Sequence, residues 1–325
     1  MAHRVTLLLP GVGSYRPGVL SGLGHLPEVR STIDAVDHAD RGRHRVPRLL
    51  LDLTAPDERH LSVHDPTAGH LAVYTTAVAV AALLHRRFGV RAHTVVGHSA
   101  GEIAALAAAG AVDVGDGARM ILARDAALAE TAPPPGGLVV LEASAADVAR
   151  LLAGTDLPSL QLACDNAPNQ CVVSGPAREL AALAASADRS GHRTTWLTTA
   201  TAFHNRLLAD AARAFRDRTS SITVRPPGTR VFSAVLVRPY RNTGELRDAA
   251  GHHLVRPVHF RRALTRLHRT GTGVFLETGP RNTLTALARA TVPGVRAACV
   301  LPRSATEDHL AAVIGATLGP GADFR

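Results

Sequence analysis

The segment HTVVGHSAGEIAAL, residues 93–106, constrains the fold of this 325-residue chain more than any other stretch. Its short apolar run predicts a buried strand, and the alanine-rich residues after it predict a helix. Between them, Gly97-His98-Ser99-Ala100-Gly101 is a Gly-x-Ser-x-Gly pattern, typical of the sharp turn called a nucleophile elbow. Because only small residues fit at Gly97 and Gly101, the pattern predicts that Ser99 stands at the helix N-terminus, where N–H groups favour negative charge.

A serine that merely caps the helix is the alternative interpretation of these five residues. The strand before, the helix after and Glu102 just beyond favour a nucleophile instead. A serine hydroxyl needs a base, but one histidine among 17 is uninformative by its presence alone. His98 is predicted to point away from Ser99, because it is the neighbour of that serine on the turn. His204, in TAFHNRLL, lies at a predicted loop-to-helix junction and is the candidate base.

Short apolar runs alternate with helical segments along the chain, which predicts an α/β protein with a parallel sheet buried on both faces. The predicted strands are Val5–Leu9, Thr94–Gly97, Gly137–Glu142, Cys171–Ser174, Arg193–Leu197, Thr229–Ser233, Val274–Glu277 and Ala297–Leu301. The predicted helices are Leu71–Phe88, Gly101–Ala109, Val114–Glu130, Ala145–Ala153, Ala177–Ser190, Asn205–Asp217, Val258–Arg269 and Thr283–Ala290.

One domain boundary is visible at TAPPPGG, residues 131–137, which breaks a helix. From there to about Thr198 the pattern is strand, helix, strand, helix, strand, and after TTATAFHN the first pattern resumes. We therefore predict an α/β-hydrolase-like large catalytic domain formed by residues 1–131 and 199–325. Residues 132–198 are predicted to be a small ferredoxin-like β-α-β lobe inserted into it.

Composition narrows the classes of function. No apolar run reaches the length of a membrane span, and the nearest candidate, Leu71–Leu84, predicts a buried helix. The apolar stretch at the N-terminus is too short for a signal peptide, and three cysteines without metal-like spacing favour a reducing, cytoplasmic setting. The net charge of +9 suits an acidic partner, but 3% aromatic residues and the lack of a nucleic-acid-binding motif argue against nucleic acid.

Six blocks of sequence, in order, resemble the malonyl-CoA:acyl-carrier-protein transacylases and the acyltransferase domains of polyketide synthases. They read LLLPGVGS, GHSAGEIAAL, MILARDAAL, NAPNQCVVSG, TAFHNRLL and FLETGPRNTLTAL. The resemblance covers nearly the whole chain and implies a discrete, trans-acting acyltransferase of polyketide or fatty-acid-type biosynthesis. It implies acyl-CoA or a phosphopantetheinyl carrier protein as substrate, an acidic acyl carrier protein as partner, and no bound cofactor or metal. We expect a monomer that binds no membrane.

The resemblance also implies a mechanism. Ser99 would carry the acyl group as an ester, in a ping-pong reaction with His204 as general base and then acid. The backbone amides of Val12 and Ala100 would form the oxyanion hole. A backbone carbonyl in the segment Pro257-Val258-His259, that of His259, would orient the catalytic histidine.

The residues implied to bind substrate are less regular than the dyad. Arg124 would pair with the free carboxylate of a malonyl-type acyl group in a bidentate geometry. Usual glutamines of the family are replaced by Val12, Tyr15 and Tyr74. Phe203 matches malonyl-selective domains, whereas Thr201 does not. The substrate-binding set predicted from these matches and departures is Arg124, Phe203, Tyr74 and Thr201, in a pocket altered around an intact Ser/His pair.

The acyl group stays open at this point. Malonyl is one interpretation, and an aminoacyl or dipeptidyl group moved between carrier proteins is another. An editing thioesterase would use the same Ser99 and His204, but with water as the acceptor. A non-catalytic module that binds a carrier protein is the remaining alternative, and the retention of Ser99, His204 and Arg124 argues against it.

Overall fold

The computed structural model describes residues 4–301 and 306–319, so the outermost ends of the predicted large domain lie outside the described residues. Its strands are β1 Arg4–Leu9, β2 Ala92–Gly97, β3 Gly136–Leu141, β4 Gln161–Ala167, β5 Gln170–Pro176, β6 Thr194–Trp196, β7 Arg230–Ser233, β8 Arg238–Pro239, β9 Thr272–Glu277 and β10 Arg296–Cys299. Its helices are α1 Pro27–Asp40, α2 Val46–Leu51, α3 Glu58–His64, α4 Pro66–Arg86, α5 Gly101–Ala108, α6 Val114–Thr131, α7 Ala145–Ala153, α8 Ala177–Arg189, α9 Ala209–Thr219, α10 Thr243–Val255, α11 Phe260–Arg269, α12 Thr283–Thr291 and α13 Glu307–Leu318.

The larger sheet has six strands in the order β10-β9-β1-β2-β7-β8. All neighbouring pairs are parallel except β7 with β8, which is antiparallel. Its central strands are buried on both faces: Leu7, Leu8 and Leu9 in β1 and Val95 and Val96 in β2 expose almost nothing. This explains why these strands are continuous apolar runs rather than alternating ones, and it confirms the predicted α/β class.

The second sheet is small and antiparallel, with the order β4-β5-β3-β6. Its elements follow the chain order β3-α7-β4-β5-α8-β6, so the predicted succession of strand, helix, strand, helix, strand omitted β4. Strand β4 is hard to see in the sequence because Asp165 and Asn166 are buried in it. Asp165 accepts two hydrogen bonds from the guanidinium of Arg261, at 2.8 and 2.9 Å.

Helix α4 is long and apolar enough to cross a membrane by length and composition, yet 78% of its apolar window is buried inside the protein. Asp65 caps its N-terminus by accepting a hydrogen bond from the amide of Ala68. The prediction of a buried helix over Leu71–Leu84 is therefore confirmed.

Some helices and boundaries differ from the prediction. Helices α1, α2, α3, α10 and α13 were not predicted, although α1 buries Val29, Ile33 and Val36 at helical spacing. The helix predicted from Asn205 begins only at Ala209, because Asn205 caps a short 3₁₀ turn by accepting from the amide of Leu207.

Candidate active site

The turn between β2 and α5 has the sharp geometry that its sequence predicts. Ser99 adopts a φ of +55°, in the left-handed region. A Cβ at Gly97 would lie 2.2 Å from the amide nitrogen of Glu102, and a Cβ at Gly101 would lie 2.1 Å from the carbonyl oxygen of Leu9. Both glycines are required because strand, turn and helix approach one another more closely than any side chain allows.

Ser99 and His204 are 105 residues apart in the sequence, and their side chains are in contact. The Oγ of Ser99 lies 2.7 Å from Nε2 of His204, and Nδ1 of His204 lies 3.0 Å from the carbonyl oxygen of Arg256. A carbonyl oxygen can only accept, so Nδ1 carries the proton in this arrangement. Nε2 then presents its lone pair to the serine hydroxyl, which is the tautomer that a general base needs.

The carbonyl that orients His204 belongs to Arg256, so the prediction of His259 is wrong. The carbonyl of Val258 accepts a hydrogen bond from an amide of β4, and that of His259 accepts one from the first turn of α11. Both groups are therefore occupied by secondary structure. Arg256, at the C-terminal end of α10, places its carbonyl opposite the imidazole instead.

His204 is buried, with 2% of its surface exposed, and has a φ of +60°. Burial, with a smaller contribution from nearby His98, lowers its pKa to about 4, so the imidazole is neutral at pH 7. The next residue, Asn205, donates from its side-chain amide to the carbonyls of Ser159 and Ser174, at 2.9 and 3.1 Å. His204 is thereby attached to the small sheet.

His98 points away from the nucleophile, as its place on the turn predicts. Its Nε2 donates to Oδ1 of Asn166 at 2.8 Å, and its ring meets the ring of Phe260 edge to face with centroids 5.0 Å apart. His98 therefore joins the elbow to strand β4 and helix α11 and does not contact the Ser99 hydroxyl.

The loop after β1 runs directly beside the elbow. A Cβ at Gly11 would lie 2.6 Å from the carbonyl oxygen of His98 and 3.1 Å from the amide nitrogen of Ala100. This close approach brings Val12, the next residue, alongside Ser99 and Ala100. The oxyanion hole formed by the amides of Val12 and Ala100 stays a prediction, and this geometry is compatible with it.

Glu102 is buried directly behind the elbow, in the first turn of α5. Its Oε1 accepts hydrogen bonds from the hydroxyl of Ser233, at 3.0 Å, and from the hydroxyl of Tyr240. Burial raises the pKa of Glu102 to about 7, against the opposing effect of these two donors. The carboxyl group thus links α5 to β7 and to the chain beyond β8.

Arg124 is almost completely buried, with 1% of its surface exposed, and it is paired within the protein. Its Nε donates to Oδ1 of Asp125 at 2.9 Å, and a terminal nitrogen lies 2.8 Å from the same oxygen but has no aligned hydrogen-bond acceptor. The other carboxylate oxygen of Asp125 lies 2.7 Å from Nδ1 of His70. The guanidinium also lies over the ring of Phe203, 5.7 Å from its centroid.

The charge of Arg124 affects the pKa values of both Asp125 and His70. Burial alone would raise the pKa of Asp125, but the positive charge of Arg124 and the hydrogen bond from His70 outweigh it and hold that pKa well below its usual range. Burial and the charge of Arg124 hold the pKa of His70 below its ordinary value. The ionised form of Asp125 is therefore favoured, and burial together with Arg124 favours the neutral form of His70.

A cavity of about 440 Å³ reaches Phe203, the residue before His204, although neither Ser99 nor His204 lines it. Among the predicted substrate-binding residues, Thr201 and Phe203 line it, and so does Val12 of the predicted oxyanion loop. Arg124 and Tyr74 do not. The remaining wall includes the polar side chains of Tyr15, Glu58, Ser62, Thr67, His70, Asp125, Thr198 and Thr199.

Tyr74 does not border the large cavity, and its side chain is fixed by packing and by one hydrogen bond. Its hydroxyl donates to the carbonyl of Val114 at 2.7 Å, and only 2% of its surface is exposed. It borders a separate void of about 10 Å³, shared with Val12 and Ala100, which is roughly the space of one water molecule.

His70, Asp125 and Arg256 were not predicted from the sequence. Asp125 follows Arg124 directly in the sequence, but adjacent residues on a helix do not normally face each other, so this position alone did not predict their pairing. His70 is 55 residues away from Asp125 along the chain, and Arg256 contributes only a backbone atom. Neither of these two had a sequence signal.

Comparison with known proteins gives a consistent result. The family model described as the acyl transferase domain matches residues 57–316. The polyketide biosynthesis protein ThaF of Burkholderia thailandensis is 34% identical over 222 residues, 67% of this chain and 19% of that protein. The spectinabilin polyketide synthase system protein NorB of Streptomyces orinoci is 29% identical over 327 residues, 95% of this chain and 15% of that protein. The chain therefore spans less than a fifth of the length of these curated relatives.

Solved structures share the whole fold. The acyltransferase domain from the second module of the salinomycin polyketide synthase is 26% identical with a TM-score of 0.85, over 100% of this chain and 75% of that one. The acyl-carrier-protein S-malonyltransferase of Burkholderia pseudomallei is 25% identical with a TM-score of 0.85, over 96% of this chain and 100% of that one. Together with the family match, these likenesses confirm the resemblance of the six sequence blocks: the chain belongs to the acyl transferase domain family.

Proposed function

We propose that the protein moves an acyl group from CoA or a carrier protein, through an ester on Ser99, to the phosphopantetheine thiol of an acyl carrier protein in polyketide or fatty-acid-type biosynthesis. The observation that carries this proposal is the contact of 2.7 Å between Oγ of Ser99 and Nε2 of His204, in the tautomer fixed by the carbonyl of Arg256. Membership of the acyl transferase domain family supports it.

The proposed reaction has two halves. Ser99 Oγ attacks the thioester carbonyl while its proton passes to Nε2 of His204, and the amides of Val12 and Ala100 stabilise the oxyanion. The intermediate collapses, the carbon–sulfur bond breaks, and the imidazolium returns its proton to the departing thiolate. In the second half, the carrier thiol gives its proton to His204 and attacks the ester, and the Ser99 oxygen leaves and is reprotonated.

In this proposal, the two predicted domains have different roles. We assign the nucleophile to an α/β-hydrolase-like large domain, residues 1–131 and 199–325, and we treat residues 132–198 as an inserted ferredoxin-like lobe that helps to hold His204. The βαββαβ order of the small sheet supports this assignment. The net charge of +9 supports an acidic carrier protein as the partner.

Intact-mass measurement tests the proposal. The wild-type protein is incubated with malonyl, methylmalonyl, aminoacyl and dipeptidyl thioesters, first alone and then with a holo acyl carrier protein. We expect an acyl adduct on wild type and none on Ser99→Ala, followed by transfer of the acyl mass to the carrier. Release of free acid would identify an editing thioesterase instead. The absence of an adduct with every thioester would leave a carrier-binding module and overturn the proposal.

A further inference from the structure

We infer that the acyl group accepted by Ser99 carries a hydrogen-bond donor, as an amino-acyl group does, rather than a free carboxylate, and that Asp125 is the residue that imposes this choice. The inference rests on the proposed acyl transfer and takes the cavity of about 440 Å³ as the place of the acyl group, because Val12 and His70 line both this cavity and the small void beside Ala100. It starts from the partner that the structure gives to Arg124.

A site for a carboxylate needs a cation whose charge is not already compensated. Arg124 is 1% exposed, and Asp125 takes its Nε hydrogen bond and its ion pair. One terminal nitrogen has no acceptor, but it is buried and Arg124 does not line the cavity. Separating a buried pair leaves an uncompensated charge on both partners, which is strongly unfavourable. A substrate carboxylate that reached Arg124 would have to displace Asp125 or lie next to it, and like charges in contact repel.

Asp125, unlike Arg124, lines the cavity. Each carboxylate oxygen has two lone pairs, and the structure assigns one oxygen to Arg124 and the other to His70. Asp125 therefore retains the capacity to accept a further hydrogen bond from a group in the cavity.

His70 adds a second acceptor. Its Nδ1 must donate to the ionised Asp125, so in the neutral imidazole Nε2 carries a lone pair. The ring lines both the large cavity and the small void beside Ala100, so it faces the space next to the elbow. An N–H or O–H group on the acyl chain fits this acceptor, and a carboxylate does not.

The rest of the cavity wall follows the same pattern. Among the described residues that line it, the charged side chains are two carboxylates, Asp125 and Glu58, with no lysine or arginine. Glu58 is paired with Arg281 at 2.7 Å. Apolar side chains such as Leu61, Val73 and Phe203 complete the wall, together with neutral hydroxyl groups of Tyr15, Ser62, Thr67, Thr198, Thr199 and Thr201. Among the described residues, the wall thus offers carboxylates, neutral polar groups and apolar surface to the acyl group, and no lysine or arginine.

Three pantetheine thioesters of nearly equal size separate the possibilities: malonyl, 3-aminopropionyl and butyryl. Initial rates of acyl-adduct formation on Ser99 are read by intact mass. We expect 3-aminopropionyl to react at least about tenfold faster than malonyl, since hydrogen bonds to charged groups are worth about that factor or more. A faster malonyl reaction would overturn the inference and leave the proposed acyl transfer standing.

Binding provides a readout that does not depend on the chemistry. The Ser99→Ala variant is titrated with amide analogues of the same three compounds, in which nitrogen replaces the thioester sulfur. Tighter binding of the 3-aminopropionyl analogue than of the malonyl analogue supports the inference even if wild type forms no adduct. Tighter binding of the malonyl analogue contradicts it.

Asp125→Asn tests the assigned residue. The amide keeps the size of the side chain and removes the charge that neutralises Arg124, so the ratio of 3-aminopropionyl to malonyl acylation should fall by about tenfold or more. Asp116→Asn is the matched control, because Asp116 lies on the same helix α6 and pairs with the exposed Arg119. An Asp125→Asn ratio equal to that of the control would refute the role of Asp125. If Asp125→Asn does not fold, the wild-type ratio decides the substrate class.

Discussion

The two ends of the active site are built in different ways. At the catalytic end, the backbone fixes the geometry: Gly97 and Gly101 allow the close approach of strand and helix, and a carbonyl selects the tautomer of His204. At the acyl end, by which we mean the cavity side of the site, side chains pair with one another: Asp125 pairs with Arg124, its neighbour on α6, and with His70 of α4. Under the proposed function, the difference teaches that the reaction depends on the backbone geometry, whereas substrate choice depends on a few replaceable side chains.

His204→Ala should give the largest effect if the catalytic end works as described. Loss of a general base slows the step that it assists by about 10² to 10⁴, so we expect the rate of Ser99 acylation to fall in that range, as measured by intact-mass time courses. His98→Ala is the control, because that ring contacts Asn166 and Phe260 rather than the serine. Equal losses in both variants would contradict the assignment of the base.

Gly97→Ala tests whether the backbone of the elbow tolerates any side chain. The added Cβ would lie 2.2 Å from the amide nitrogen of Glu102, so we expect the free energy of unfolding to fall by about 3 kcal/mol or more, the upper end for overpacking. Urea unfolding measures this change. Gly315→Ala in α13 is the control, because its Cβ would meet nothing within 4 Å and a helical alanine should stabilise slightly. Similar midpoints for the two variants would mean that the elbow can relax.

Glu102→Gln tests whether the buried carboxyl group of Glu102 makes the free energy of unfolding depend on pH. Because the pKa of Glu102 is raised from 4.5 to about 7, the native state holds a proton that the unfolded chain has released between these values. The free energy of unfolding of wild type should therefore fall as pH rises through this window, by roughly 3 kcal/mol in total. Glutamine keeps an acceptor for Ser233 and Tyr240 and carries no charge.

Urea unfolding of wild type and Glu102→Gln at several values between pH 5 and pH 8 isolates this contribution as the difference between them. Glu130→Gln is the control, because Glu130 is exposed and pairs with Arg218 at the surface. A Glu102→Gln protein with the same pH dependence as wild type would show that the buried carboxyl is not the source.

Tyr74→Phe should give the smallest effect. It tests whether Tyr74 contacts the acyl group. The variant loses the hydrogen bond to the carbonyl of Val114, which corresponds to about 1 kcal/mol of stability. Because Tyr74 borders only the small void, the relative acylation rates of malonyl and 3-aminopropionyl thioesters should stay those of wild type. A changed preference would place Tyr74 in contact with substrate after all.

The sequence predicted the geometry of the elbow well because local patterns specify it, whereas the role of His204 was implied by the family resemblance. A strand, a glycine-bounded serine and a helix are a short-range signal, and they place Ser99 and exclude His98. The acyl end is different, because Asp125 and His70 meet only after α4 and α6 pack together. Adjacent residues on a helix do not normally face each other, so the pairing of Arg124 with Asp125 also depends on the conformations that two buried side chains adopt.

Backbone acceptors form a further class that the sequence does not reveal. Any residue of the segment before α11 could offer a carbonyl to His204, and the choice of Arg256 over His259 follows from which carbonyls the helix and strand β4 already use. Strand β4 itself was missed for a related reason, since its buried Asp165 is paired with a distant arginine.

The hydrogen bonds of Asn205 couple the position of His204 to that of the small sheet. The residue after the catalytic base is tied to the carbonyl of Ser174 in β5 and to that of Ser159 just before β4, while the nucleophile stands on β2 of the other sheet. The distance between Ser99 Oγ and His204 Nε2 therefore depends on the relative position of the two sheets. Under the proposed function, a displacement of the small sheet would change the 2.7 Å distance between Ser99 Oγ and His204 Nε2, and with it the activation of Ser99, without a substitution of either residue.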